Sequence, residues 1–235
     1  MKQYGLMDND NMFNKMMKLP LFQGASHEQI ELLVEKLPFH FLTYNDGEKL
    51  IEAGDECDYL RFVVSGSVKI VTNSKVARVS VSQVIESPNV IGPDYLFGRH
   101  TCYPYDVFAV GKCGILQLRK SDYINILQAD KVFLFNILNF LSRNTQNHVI
   151  SSLSRSCGLV AERLAALIVS LTAAHSRCIE LNFNMRDLCA LLGTRRATLA
   201  RTLHDLNEQG VIIFTANTIT IPDRQLLLNL IKHHL

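Results

Sequence analysis

Thr194, Arg195, Arg196, Thr198 and Arg201 fall within eight consecutive positions near the end of the 235-residue chain. A guanidinium presents a rigid fork of donors that matches phosphate oxygens and the acceptor edge of guanine, and a threonine hydroxyl adds a phosphate contact. The chemistry open to such a set is recognition of a nucleic acid, since nothing beside it could activate a nucleophile. The flanking residues say how the set is held. Leu188, Leu191 and Leu192 make one apolar helical face, and Leu199, Leu203 and Leu206 make a second. Gly193 between them suits the left-handed backbone of a tight turn, and Thr194 is positioned to cap the second helix. The spacing predicts a helix-turn-helix over residues 185–206, with the polar and basic residues on the first two turns of the second helix, where base edges are met. The bland reading is two amphipathic helices with arginines on a solvated face. Gln209-Gly210 stops the second helix, however, and two short strands follow at 211–214 and 218–221 around a turn at Thr215-Ala216-Asn217, which is a wing.

The rest of the chain offers little other chemistry. Its histidines (27, 40, 100, 148, 175, 204, 233 and 234) contain no His-x-His group of the kind a metal-dependent β-barrel enzyme needs. No paired acid and base or partnered nucleophile appears, so an enzyme is not expected. The six cysteines are scattered without a Cys-x-x-Cys pair, which argues against a disulfide framework and a four-cysteine metal site. Net charge is +2, but residues 155–235 hold nine Lys/Arg against six Asp/Glu, a mild basic excess compatible with nucleic acid. Neither a signal peptide nor an apolar run of membrane-spanning length is legible, and a cytoplasmic location is expected.

The elements that position this set read as an α+β chain. Residues 1–11 carry little pattern. Two short helices are predicted over 12–37, the second opened by a Ser26…Gln29 capping box and buried through Ile30, Leu33, Val34 and Leu37. From Phe39 the period falls to two, with strands at 39–44, 49–51, 59–64, 67–71, 76–85, 89–91, 106–110 and 114–118 separated by glycine corners, the pattern of a sandwich or barrel. A short helix over 121–128 precedes a long one over 132–153. The long helix carries Leu134, Leu138, Leu141, Thr145, His148 and Ser152 at alternating spacings of four and three, a seam suited to pairing with a second copy. A hinge is expected at Ser154–Gly158. Beyond it come a helix over 160–174, a strand near 178–181, the winged helix-turn-helix, and a last helix opened by Pro222. The implied division is an N-terminal jelly-roll sensor domain at 1–130, a dimerisation helix at 131–154 and a winged-helix domain at 155–235.

The stretch Gly47 to Ile70 looks like the first half of a cyclic-nucleotide-binding-type jelly roll, with glycines where that fold turns its strands. Together with the helix-turn-helix, it makes the chain resemble the Crp/Fnr family of bacterial transcription regulators over about residues 19–222. The resemblance implies a homodimer with two recognition helices about 34 Å apart on a near-palindromic double-stranded DNA operator, with RNA polymerase as a further partner. It puts Arg196 and Arg201 on base-reading and phosphate- or base-contacting positions, Thr198 on a backbone contact, and Asn184 and Arg195 beside phosphates. Ala197 departs from the family, since cyclic-AMP-responding members carry a glutamate there that accepts from cytosine.

The barrel departs further. Cyclic-AMP-binding members hold the ribose with the glutamate of Phe-Gly-Glu and the cyclic phosphate with an arginine some ten residues on. Here Pro93 replaces the glutamate, and Tyr103, Pro104 or Tyr105 stands where the arginine should be. His148-Val149 stands near the family's adenine-meeting Thr-Ser pair. An enclosed phosphate without its cation costs several kcal/mol, a large share of micromolar binding energy, so cyclic AMP is not the expected effector. The oxygen-sensing branch is excluded by the lack of an amino-terminal cysteine cluster. Three alternatives stay open for the effector, whose identity is unknown: Arg99 serving another anion; a haem ligated from among His100, Cys102 and His148, as in the nitrosative-stress regulators that the chain loosely resembles; or an aromatic core of Tyr95, Phe97, Tyr103, Tyr105 and Phe108 with no ligand.

Overall fold

Alternating apolar residues from His40 onward pair as strands, and the 3.6-residue stripes after Arg119 form helices. The computed structural model describes residues 17–36, 38–74 and 77–231. In chain order the elements are α1 (His27–Lys36), β1 (His40–Tyr44), β2 (Lys49–Ile51), β3 (Tyr59–Asn73), β4 (Val79–Glu86), β5 (Asn89–Ile91), β6 (Asp106–Arg119), α2 (Lys120–Ala129), α3 (Lys131–Cys157), α4 (Val160–Leu171), β7 (Arg177–Phe183), α5 (Met185–Leu191), α6 (Arg196–Glu208), β8 (Ile213–Thr215), β9 (Thr218–Ile221) and α7 (Arg224–Ile231). The chain divides into two compact units. One holds the described residues up to Val68 together with Glu86–Arg143, and the other holds Lys69–Ile85 and the residues from Asn144 onward. This division departs from the expected boundaries at 130 and 154, because the β3–β4 hairpin joins the second unit and α3 spans both.

In the first unit β6 is the long central strand. It pairs antiparallel with β1, from His40↔Gln117 to Tyr44↔Cys113, and with β2 at Lys49↔Phe108. It also neighbours β3, which carries β5 at Arg61↔Ile91 to Val63↔Asn89. The corner expected at Gly66 is not a break, for β3 runs through it. A Cβ there would stand 2.5 Å from the Lys112 carbonyl oxygen, so glycine lets the two backbones approach and both strands continue. The gap expected in β6 between 110 and 114 is likewise absent. Phe22, Phe62 and Phe133 meet in the core with ring centroids 5.3 and 5.6 Å apart, and each such buried side chain contributes ~1.5–3 kcal/mol. The Ser26–Gln29 box closes as read, with Ser26 N–H donating to Gln29 Oε1 (2.8 Å) and Gln29 N–H to Ser26 Oγ (3.2 Å).

In the second unit the strands run β3-β4-β7-β9-β8, with β3 contributing its end from Lys69 onward. Val79 and Val81 of β4, Leu164 and Ile168 of α4, Leu181 of β7, Ile219 of β9 and Leu227 of α7 share one buried cluster. The C-terminal end of α4 leaves carbonyls without helical partners, and Arg224 of α7 covers them. Its Nε donates to Thr172 Oγ1 (3.1 Å), and its Nη2 donates to the carbonyls of Val169 and Thr172 (both 3.2 Å).

Other boundaries differ from the sequence pattern for local reasons. The break expected from Ser154 falls later, because α3 continues to Cys157 and only Gly158-Leu159 interrupts it before α4. The last helix starts two residues after Pro222, where Asp223 Oδ1 accepts from Gln225 N–H (2.8 Å) and caps it. Val211 and Ile212 are buried ahead of β8 rather than within it. The segment 1–11, most of the helix expected from Met12, Val76 of the expected 76–85 strand, and the apolar contributions of Leu33, Val34 and Leu37 lie outside the described residues or side chains. Replacing Arg224 with alanine removes three charge-assisted bonds and leaves two carbonyls and a hydroxyl short of a donor. This is expected to lower stability by about 2–4 kcal/mol, read as a shift of the urea unfolding midpoint with the far-ultraviolet circular dichroism of the native state unchanged.

Candidate nucleic-acid interface

The helix α6 is held by a leucine cluster beneath it. Leu188 and Leu192 on one side and Leu199, Leu203 and Leu206 on the other are at most 4% exposed. Leu191, expected on the first apolar face, is 49% exposed instead, because α5 spans only seven residues and its last turn rotates that side chain out of the cluster. Asn184 opens α5, its Oδ1 accepting from Arg186 N–H at 2.9 Å. At the turn, Gly193 N–H donates to Ala190 O (3.2 Å) and Thr194 N–H to Cys189 O (3.0 Å), with Gly193 at φ +56°. Thr194 does not cap the second helix: α6 starts at Arg196, its N-cap position is Arg195, and no side chain caps it. The Thr194 N–H closes the turn instead.

With the leucines inward, the remaining face is outward. Arg195, Arg196, Ala197, Thr198 and Arg201 are exposed, and Thr194 and Thr202 are half-buried. Cys189, Ala190, Gly193, Thr194, Arg195 and Thr198 line an open concavity of about 660 Å³ between the two helices. Among the described residues none of the three arginines has an ion-pair partner. The acidic end of α6 is engaged at its far side, where His204 Nε2 and Glu208 Oε1 are 3.3 Å apart. The wing is tied to this unit by Phe214 N–H donating to Asn207 Oδ1 (2.9 Å), by Thr218 Oγ1 donating to Asn182 Oδ1 (2.8 Å), and by the Phe183–Phe214 stack at 6.3 Å.

In the first unit Tyr95, Tyr103 and Tyr105 cluster with ring centroids 5.8–6.2 Å apart. The Tyr103 hydroxyl accepts from the Cys57 thiol (2.9 Å) and Arg61 Nη1 (3.2 Å), and donates to Tyr59 O (3.4 Å). Tyr105 fills the space above Gly92, so that a Cβ on Gly92 would overlap its hydroxyl. Burial pushes the Tyr103 and Tyr105 phenols well above their ordinary range, which keeps both neutral. Of the three residues expected where an arginine would neutralise a phosphate, Tyr103 and Tyr105 are thus neutral phenols and Pro104 is exposed, and the nearby cation, Arg61, already donates to Tyr103. Phe97 stacks on Tyr123 at 6.5 Å, and Lys120 lies over its ring. Phe108 is half-buried beneath Lys49. Arg99, His100 and Cys102 are exposed outside the tyrosine cluster, and His148 is exposed on α3 in the second unit. Arg99 and His100, expected from the sequence in the effector pocket, are thus exposed rather than buried with the tyrosines.

On α3, Leu134 and Leu141 are half-buried, while Leu138, Thr145, His148 and Ser152 are exposed. Phe135 and Val149, at 59% and 55%, extend the exposed apolar surface beyond the seam read from the sequence. With Leu138 three positions after Phe135 and Val149 eleven positions after Leu138, all three fall on one helix face, a signal masked by the continuous apolar run at 132–135. Sequence reasoning also passed over Arg61, Arg78 and Gln83, whose roles depend on residues 40–110 positions away.

Two family models match the chain, one described as a Crp-like helix-turn-helix domain over residues 162–230 and one as a cyclic nucleotide-binding domain over residues 41–130. The cyclic AMP receptor protein of Thermus thermophilus is 25% identical over 214 residues, covering 88% of this chain and 94% of that protein. The cAMP-activated global transcriptional regulator Vfr of Pseudomonas aeruginosa is 23% identical over 190 residues, covering 77% and 89%. The crystal structure of Thermus thermophilus catabolite activator protein matches with a TM-score of 0.50 at 22% identity, covering 92% of this chain and all of that one, a likeness of fold. A cyclic-nucleotide-binding-type β domain followed by a winged helix-turn-helix defines a class of DNA-binding transcription regulators. The chain belongs to the Crp/Fnr family of that class.

At Gly193 the only neighbour of an added Cβ is Arg163 Nη1 at 3.9 Å, an ordinary contact. Gly193→Ala is therefore strained by its backbone alone. A loss of about 1–2 kcal/mol is expected, with Gly193→Asn losing less, both measured by thermal unfolding.

Proposed function

We propose that this chain acts as a homodimeric, sequence-specific transcription regulator whose sensor domain does not take cyclic AMP. The observation that carries the first half is the outward face of α6, where Arg196, Thr198 and Arg201 are exposed over a fully buried leucine face. A rigid helix bearing two exposed guanidiniums suits the major groove, with Arg196 reading a base edge and Arg201 contacting a base or phosphate. Thr198, Thr194, Arg195 and Asn184 contribute backbone contacts that fix register. Ala197 offers no acceptor for a cytosine amino group, so the half-site differs from that of relatives with a glutamate there. Pairing of two chains through α3 is supported by its exposed Phe135, Leu138 and Val149, a stripe that a second copy would cover. Two such chains present their α6 helices to successive major grooves of a near-palindromic operator in the cytoplasm.

The second half rests on Tyr103. Cyclic AMP would bring a phosphate against neutral phenols rather than an arginine, and the Tyr105 ring would have to leave the space it fills.

Replacing Arg196 with alanine is expected to lose about 1–3 kcal/mol of binding, concentrated at one base pair of the operator. Fluorescence anisotropy across single-base operator variants measures it, and an unchanged profile would overturn the placement of the reading helix. Titration calorimetry with cyclic AMP is expected to give no heat of binding, whereas a low-micromolar dissociation constant, about 8 kcal/mol of binding, would refute the role given to Tyr103.

A further inference from the structure

In the sheet of the DNA-binding unit, the strand that flanks β7 opposite β9 is not contributed by the segment that carries the helix-turn-helix. It is β4, which lies inside the stretch matched by the cyclic nucleotide-binding model. It pairs antiparallel with β7 from Val79↔Phe183 to Val84↔Arg177, with an irregularity between Ser82 and Val84. Gln83 sits at that irregularity, 4% exposed, and its side-chain amide grips the loop after α4, donating to Leu171 O (3.3 Å) and accepting from Ala173 N–H (2.7 Å). Val79 and Val81 are buried in the same core as the leucines under α6. The strand is therefore an integral part of this unit.

Its first end is fixed against the start of α5. Arg78 N–H donates to Asp187 Oδ2 (2.9 Å), and the Arg78 carbonyl accepts from Asn184 N–H (2.9 Å). Strand alternation sends Val79 into the core, so the neighbouring Arg78 side chain stands on the other side, and it is exposed. Among the described residues its guanidinium has no ion-pair partner. Asn184 and Arg186, also exposed, lie on either side of the same backbone junction. The first helix of a helix-turn-helix crosses the phosphate backbone next to the groove that the second helix enters.

We propose that Arg78 is an additional DNA-backbone contact, carried to the interface by the β3–β4 hairpin, and that its ligand is a phosphodiester group flanking the base pairs under α6. This rests on the reading of α5 and α6 as a DNA-binding helix-turn-helix. The contact carries no base information, so its effect is the same for every sequence and is screened by salt. It makes the hairpin of the sensor half part of the DNA-binding surface.

The test uses the full chain and two duplexes of equal length. One is selected from a random-sequence library by the unaltered protein, and the other is unrelated to it. Anisotropy titrations over a salt series compare Arg78→Gln, Arg78→Lys and Arg196→Ala. Arg78→Gln is expected to weaken binding to both duplexes by a similar factor, about 5–10-fold at low salt, and to make the slope of log affinity against log salt shallower by about one. Arg78→Lys retains the slope. The melting temperature of Arg78→Gln stays that of the unaltered protein, because both bonds of Arg78 use its backbone. Unchanged affinity and slope in Arg78→Gln, with Arg196→Ala still losing its preference for the selected duplex, would overturn the proposal and leave the helix-turn-helix intact. An Arg196→Ala variant that keeps that preference would overturn the reading on which the proposal rests.

Discussion

Five leucines and one left-handed glycine set the orientation of the arginine-bearing face of α6. Leu188 and Leu192 must be covered, Leu199, Leu203 and Leu206 cover them, and Gly193 provides the only short path between the two helices that satisfies both. Once those side chains are inside, the opposite face of α6 has no choice but to face water, and that face carries Arg196, Thr198 and Arg201. The hydrophobic term decides where the guanidiniums point, and their own charge only keeps them there. The short α5 follows from the same constraint. With Asn184 capping one end and the turn closing the other, only the part of α5 that touches α6 needs to be buried, and Leu191 is left outside.

The sensor half shows how one substitution pattern changes the character of a pocket without changing its frame. Glycine-permitted close approach of β3 and β6 preserves the β roll, so the strand scaffold matches that of nucleotide-binding relatives. Inside it, three tyrosine rings pack together, and the Tyr103 hydroxyl is satisfied by the Cys57 thiol, Arg61 and the Tyr59 carbonyl. A buried cluster of this kind stabilises packing, and its one adjacent cation, Arg61, is already engaged with Tyr103. The exposed Arg99 and His100 belong to the loop around this network and not to its interior.

The DNA-binding unit is a composite. Its sheet takes β4 from within the sensor sequence, and its helices are tied by Arg224, which caps α4 from α7, and by Gln83, which holds the loop that follows α4. Each of these groups joins segments far apart in the chain, so the unit is a product of long-range pairing more than of local propensity. That is also why the division into compact parts cuts through β3 and α3 rather than falling at a loop.

Much of this was legible from residue order. Apolar spacing at 188–206, the Ser26–Gln29 cap and the alternation in the strands are local properties, since neighbours in the chain are neighbours in a helix or strand. The replacement of a glutamate by Pro93 and the tyrosines at 103 and 105 could likewise be read directly. Spacing alone could not show that Thr194 gives up the cap to a turn bond, that Leu191 escapes the core, or that Gly66 and Gly111 lie within continuous strands. Each of these depends on a partner backbone that residue order does not specify. The sequence by itself determined the class of protein, the two helices and which arginines they carry. Only the tertiary structure decided that Tyr105 fills the space over Gly92 and that Arg78 arrives beside Asn184. Pairing between segments a hundred residues apart is set by which buried surfaces and hydrogen bonds are satisfied together, and no local pattern records that choice.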